Sequence, residues 1–178
     1  MIMLQNRIHR IALFFVIFFT SYSLAFAAQY KCTRVVDGDT IHVMGNGTET
    51  TIRLVGIDAP ETSKNKREPG QPFGQTATKH LAGLVLNKSV EFKTYGTDRY
   101  GRVLAVVFVD GKDVNLEMLK AGLAEVYRGT PAKGQDMAPY WIAEKEARDA
   151  GRGMWVLKDK YVSPREWRAK QKGSVNLK

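Results

Sequence analysis

Three acidic residues lie close together in the first half of the sequence, next to predicted strand ends. Asp39 follows an Asp-Gly turn signal, Asp58 ends the third predicted strand, and Glu61 comes three residues later. In an antiparallel meander the first and third strands both flank the second, so these ends can meet. Three carboxylates without His or Cys form a hard-oxygen site that suits Ca²⁺ or Mg²⁺. The alternative is that they are ordinary turn acids, because Asp-Gly turns are frequent.

Two arginines stand near these acids in the predicted order of strands. Arg53 lies inside the third strand between Ile52 and Leu54, an unusual place for a charge without a partner. Arg102 directly precedes the fifth predicted strand. A guanidinium fork matches phosphate oxygens bidentately, which suits a phosphoryl group that gains charge. The alternative for each arginine is a salt bridge to a neighbouring acid.

Aromatic and basic side chains add a possible binding surface for a nucleic acid. Tyr100 and Tyr127 could stack on a base or bond a phosphate, or they could pack on the barrel with a solvated hydroxyl. Lys64, Lys66 and Arg67 form a basic loop that is either a solvated surface or a guide for a polyanion.

The remaining metal-binding residue types give no site of their own. Cys32 is the single cysteine, so it cannot form an internal disulfide, and we interpret it as a small strand residue. His42 and His80 are scattered and form no zinc cluster with it.

The first residues have the layout of a secretory signal peptide. Arg7 and Arg10 precede an apolar run over residues 11–19, and Ala25-Phe26-Ala27 is a small-x-small cleavage pattern. An uncleaved anchor is the alternative, but the apolar run is short for a membrane span. Cleavage near Ala27 would leave 151 residues with a net charge of about +7 and place the protein in the periplasm or outside the cell. Such a basic domain attracts polyanions.

The rest of the pattern predicts one mainly β domain with helices. Strands are predicted over residues 30–36, 40–44, 50–57, 89–94 and 103–109, and helices near residues 77–85, 114–121 and 137–150. Ser163-Pro164-Arg165-Glu166 is a capping-box pattern that predicts a further small basic helix. We therefore expect a five-stranded OB-type Greek-key barrel with about three packed α-helices over residues 28–157, followed by a basic extension over residues 158–178.

Four short strings resemble the thermonuclease family, the staphylococcal nuclease-like proteins. They occur in order from about residue 30 to residue 155: Asp37-Gly38-Asp39-Thr40, Ile52-Arg53-Leu54, Asp58-Ala59-Pro60-Glu61-Thr62 and Asp98-Arg99-Tyr100-Gly101-Arg102. Each string is weak alone, and the four together are specific.

The resemblance implies Ca²⁺ held by Asp39, Asp58 and the backbone carbonyl of residue 59. Glu61 would lie at the metal-bound water, and Arg53 and Arg102 would grip the scissile phosphate. The best-known member has threonine where this chain has Ala59; because the carbonyl is the ligand, metal binding should survive.

The resemblance also implies a binding surface beyond the reacting phosphate. Arg99 and Tyr100 match positions that contact a nucleotide phosphate in the family. The segment after Tyr127 does not match the well-known member, which leaves a base contact there open.

These observations predict an exported, calcium-dependent enzyme that hydrolyses phosphodiester bonds of DNA and/or RNA, and the resemblance implies that it leaves 3′-phosphates. No stable protein partner is implied, and a monomer is expected. The alternative is a non-catalytic OB-fold module that binds nucleic acid; such a module has no use for Asp39, Asp58 and Glu61, which repel phosphate without a cation. A basic protein that coats membranes or cell walls would leave the same acids unexplained.

Overall fold

The computed structural model describes residues 30–63 and 70–175. The predicted leader and the basic residues Lys64, Lys66 and Arg67 lie outside these ranges. The strands are β1 (Tyr30–Val35), β2 (Thr40–Gly45), β3 (Thr48–Leu54), β4 (Ile57–Asp58), β5 (Ser89–Thr97), β6 (Val103–Val109), β7 (Lys112–Asp113) and β8 (Glu125–Val126). The helices are α1 (Gly74–Val85), α2 (Val114–Lys120), α3 (Ala138–Asp149), a 3₁₀ segment (Gly153–Lys160) and α4 (Pro164–Val175).

Five strands close into a barrel, which confirms the predicted fold class. Their hydrogen-bonded order is β3-β2-β1-β5-β6, and β3 pairs with β6 to complete the ring. The closing pair is parallel, with Ile52 opposite Val103 and Arg53 opposite Leu104, whereas the other pairs are antiparallel. Closure removes the exposed edges that an open sheet would present.

Alternating apolar residues fill the barrel. Ile41, Val43 and Ile52 are fully buried, as is the Cys32 thiol on β1. Helix α1 buries Ala77, Leu81 and Val85 against the same core, as its apolar periodicity predicts.

The third strand was predicted over residues 50–57, but β3 ends at Leu54, so the prediction of its C-terminal end was wrong. β3 stops at Leu54 because Gly56 takes a positive φ of 81°, a conformation that favours glycine. A Cβ at Gly56 would also collide with the Gln135 side chain. The chain resumes as β4, which pairs with β8 in a separate two-stranded sheet, with Asp58 opposite Glu125. Asp58 therefore leaves the barrel wall.

The C-terminal helix packs against the barrel domain. Ser163 and Glu166 form the reciprocal capping box that the sequence predicts, with both backbone N–H groups bonded at 3.2 Å. The Gln71 amide donates to the Val162 carbonyl at 2.7 Å, and the Tyr161 hydroxyl donates to Glu125 at 2.7 Å. These bonds fix the start of α4 beside the β4–α1 connection.

No helix within residues 30–63 and 70–175 has the length and apolar character needed to cross a membrane.

Candidate active site

Asp39 joins three segments of backbone at the start of β2. Its carbonyl accepts the Leu54 N–H at 2.8 Å, and its Oδ2 accepts the Ala59 N–H at 3.0 Å. Oδ1 also accepts the Thr40 hydroxyl at 3.1 Å. The side chain is 4% exposed. The turn at residue 39 and the segment after β4 therefore meet, as the meander predicts.

Arg53 bridges the two buried aspartates. Its Nη2 lies 3.0 Å from Asp39 Oδ2 and 2.9 Å from Asp58 Oδ1. Asp58 is buried like Asp39, and the Arg53 side chain is 18% exposed. A guanidinium on a strand between buried Ile52 and Leu54 is stable because it has these two partners. Arg53 therefore does form salt bridges to neighbouring acids, as the alternative interpretation predicts. Those acids are the two aspartates of the candidate site.

Burial raises the pKa of Asp39 to about 6, although Arg53 opposes the shift and Asp37 adds to it. The shift means that the anionic form of Asp39 is under-compensated in this fold. A further cation at the site would favour the ionised form.

Glu61 lies in the loop that leads to α1, and its backbone is held on both sides. Its N–H donates to Gln71 Oε1 at 3.1 Å, and its carbonyl accepts the Gln71 N–H at 2.8 Å. Gly74 packs on the Glu61 carbonyl so closely that a Cβ there would collide with it. The Glu61 side chain is 22% exposed, and its carboxylate shares a hydrogen-bond partner with Asp58.

That shared partner is Arg168 of α4, a residue that the sequence analysis missed. Arg168 Nη1 lies 2.6 Å from Glu61 Oε1 and 3.1 Å from Asp58 Oδ1, and Nη2 lies 2.7 Å from Asp58 Oδ2. The capping box predicted the helix. No sequence signal linked it to acids more than a hundred positions earlier, because that link depends on how α4 docks.

Arg102 lies next to β6, the strand that pairs with β3, and its acidic partner differs from those of Arg53. Its Nε donates to Asp98 Oδ2 at 2.8 Å, and Nη2 is 2.7 Å from the same oxygen. Arg102 directly precedes β6, whose Leu104 is opposite Arg53 on β3. Arg102 therefore forms a salt bridge with Asp98, as the alternative interpretation predicts.

The predicted substrate-binding residues divide between two places. Tyr100 is 69% exposed, and Arg99 donates to its hydroxyl at 2.8 Å while lying 4.8 Å above its ring. Arg102 also lies 5.6 Å from this ring. Tyr127 instead borders a cleft of about 190 Å³ beside Arg53. Both tyrosines are exposed, so neither is a core residue.

The donor set fits a hard cation in its chemistry. Asp39 and Asp58 flank one nitrogen of Arg53, and Asp58 and Glu61 flank one nitrogen of Arg168. Three carboxylates against two guanidinium groups leave one formal negative charge. Within the described ranges no group of three acidic, His or Cys side chains has the geometry of a metal site. Here the carboxylates are arranged around two guanidinium groups.

Comparison with known proteins identifies the chain's relatives. A protein of Haemophilus influenzae named an uncharacterized endonuclease is 35% identical over 167 residues, which is 88% of this chain and 86% of the relative. A protein of Escherichia coli with the same name is 39% identical over 139 residues, 78% and 83% of the two chains. An endonuclease of Bacillus subtilis is 37% identical over 135 residues, 74% and 63%. The family model described as staphylococcal nuclease homologue matches residues 51–157. With its closed barrel and clustered acids, this chain belongs to the family of staphylococcal nuclease homologues.

Proposed function

We propose that this protein is an exported, calcium-dependent nuclease that hydrolyses phosphodiester bonds of DNA and/or RNA and leaves 3′-phosphates. The observation that carries the proposal is the buried Asp39–Arg53–Asp58 bridge with Glu61 beside it, in a chain of this family. Arg53, the cation of this bridge, also lines the cleft, and a phosphate could reach its guanidinium from there.

Asp39, Asp58 and the backbone carbonyl of Ala59 are the residues that would hold Ca²⁺. The ion, when bound, draws charge from the phosphate and favours deprotonation of a nearby water. The raised pKa of Asp39 supports this assignment, because burial leaves its carboxylate short of positive charge.

The other residues act on the substrate directly. Glu61 orients the attacking water and takes its proton, which is work for a partly exposed carboxylate at the edge of the buried pair. Arg53 and Arg102 stabilise the charge that builds on the equatorial phosphate oxygens. Asp98 holds the Arg102 guanidinium through Nε and Nη2, so Arg102 would bind a phosphate oxygen through its other terminal nitrogen or by exchanging this partner.

Arg99, Tyr100 and Tyr127 bind the substrate away from the reacting phosphate. Tyr100 and Arg99 form an exposed aromatic and cationic pair, which suits a neighbouring phosphate or base. Tyr127 borders the cleft beside Arg53, where a nucleotide next to the scissile bond would lie.

The test is cleavage by the purified chain from Ala28 onward, which lacks the predicted leader. Single- and double-stranded DNA and RNA are incubated with millimolar calcium, with magnesium, and with excess chelator. We expect cleavage with calcium, less with magnesium because its octahedral geometry is stricter, and none with chelator. Product ends that accept a 5′ label but need phosphatase before 3′ extension would identify 3′-phosphates. Full activity in chelator would contradict the calcium mechanism, and binding without cleavage would favour the OB-fold binding module.

A further inference from the structure

Arg168 makes an extensive polar contact with the acidic site, and it comes from outside the barrel. Its two terminal nitrogens make three contacts of 2.6–3.1 Å with two carboxylates. The pairing with Asp58 uses both oxygens, the fork geometry in which arginine binds carboxylates most strongly. The contact with Glu61 is the shortest of the three.

Helix α4 holds this guanidinium in place through contacts of its own. The capping box fixes its first turn, and Tyr161 and Val162, just before it, are bonded to Glu125 and Gln71. Gln71 is also the residue that holds the Glu61 backbone on both sides. The same side chain thus ties the loop of Glu61 to the segment that leads into α4.

We propose that Arg168 is a positioning residue of the nuclease reaction, which holds the Glu61 carboxylate beside Asp58 so that the base faces the attacking water. The inference rests on the proposed function. Arg168 donates to Oε1 of Glu61. The other oxygen, Oε2, is then the one that receives the proton from water.

The physical need for such a residue follows from the charges. Asp58 and Glu61 are like charges that share one partner nitrogen, and the guanidinium between them offsets their repulsion. Glu61 lies on a loop and has three side-chain torsions, so its carboxylate would otherwise turn toward solvent. A lysine carries one compact charge and cannot reproduce a fork that reaches two carboxylates.

The variants that test this are Arg168→Gln and Arg168→Lys, with Arg165→Gln as the matched control. Arg165 lies on the exposed face of the same helix. We expect kcat to fall about 10- to 100-fold in Arg168→Gln, the usual cost of losing a partner that orients a reactive group. Arg168→Lys should recover little of the loss, KM should change by less than about threefold, and Arg165→Gln should match wild type. Thermal unfolding of each variant checks that the fold is kept.

A double-mutant cycle with Glu61→Gln distinguishes positioning of Glu61 from a purely structural role, because it measures whether the two losses of kcat are coupled. If Arg168 acts through Glu61, Arg168→Gln should cost little further kcat once Glu61 is already Gln. The same fold-loss in both backgrounds would overturn the proposal.

Calcium titration by calorimetry separates the remaining explanations. If the Arg168→Gln variant binds calcium more tightly than wild type and cuts faster at limiting calcium, Arg168 competes with the cation. That result would also overturn the proposal. Wild-type cleavage together with an unaffected Arg168→Gln would overturn it while leaving the proposed function intact. Absence of calcium-dependent cleavage by the wild-type chain would remove the proposed function first and this inference with it.

Discussion

Arg53 carries a charge on a strand whose neighbours Ile52 and Leu54 are almost fully buried. Two buried carboxylates share its Nη2, so each of the three groups compensates another. Removing Arg53 would take this partner from both buried carboxylates, which is strongly destabilising. The residue types at these positions are therefore constrained by stability, in addition to the roles that we propose for them in the reaction.

Arg53→Lys separates these two constraints. Lysine keeps the charge that the aspartates need but loses the planar fork, so kcat should fall by about 100-fold or more while the fold persists. Arg102→Lys should behave alike. The exposed Arg34→Lys on β1 is the control. Near wild-type turnover in either active-site variant would assign that arginine to structure alone.

Glu61→Gln keeps the size of the side chain but cannot accept a proton. We expect kcat to fall by roughly 10²- to 10⁴-fold, with substrate affinity changed much less. Glu61→Asp should also be poor, since its carboxylate is drawn back by one methylene. Calcium binding is titrated alongside the kinetics, and a Gln variant that binds calcium normally and cuts at the wild-type rate would remove Glu61 from the chemistry.

Asp39 should make the metal-free protein sensitive to pH. Its pKa rises from 3.8 to about 6 on folding, so the folded state binds the proton more tightly than the unfolded chain. The stabilising contribution is fully present below pH 3.8 and is lost as pH rises through 6. Melting temperatures in metal-free buffer should fall more between pH 4 and pH 6 for wild type than for Asp39→Asn. Equal slopes would show that Asp39 is not the titrating group.

The elements differ in how well the sequence predicts them. Helix α1 and strands β2 and β6 follow local periodicity, and their limits agree with the prediction to within a few residues. β4 and β8 are two residues each and pair with one another across 67 positions of chain, so no local pattern could reveal them. The approach of Asp39 to the end of β3 was predictable because it follows from strand order, whereas Asp58 reaches the same place through the turn at Gly56 and β4. Arg168 was not, because its contact depends on tertiary docking.

Helix α2 is joined to the barrel by a buried amide. Asn115 accepts the Val107 N–H at 3.1 Å and donates to the carbonyls of Val55 at 2.9 Å and Ala105 at 3.2 Å. The bonds to Val55 and Ala105 hold the end of β3 against β6 where the barrel closes.

Asn115→Ala should therefore lower the free energy of unfolding by about 2–4 kcal/mol, because it strands buried backbone groups and leaves a cavity. Urea denaturation measures the change. The exposed Lys79→Ala on α1 is the control and should alter stability by less than about 0.5 kcal/mol. An Asn115→Ala chain as stable as the control would mean that other groups or water satisfy these backbone atoms.

The whole molecule is basic, with a net charge of +9, although its proposed site is rich in acid. The net positive charge would attract a polyanionic substrate at long range, and the proposed calcium ion would contact its phosphate at short range. The leader pattern before residue 28 predicts where this chemistry takes place. Protein recovered from outside the cytosol should begin near Ala28, as N-terminal sequencing would establish. A membrane-bound form that retains Met1 would reverse this prediction.

The 107 positions between Glu61 and Arg168 also set an order in time. A ribosome makes the acids and the barrel strands first and the arginine much later. Until α4 has been made and docked, Asp58 and Glu61 repel one another without their shared guanidinium. A nascent chain in this state would hold the barrel strands and the acids but not Arg168, so the positioning that we propose for Glu61 would be the last part of the site to form.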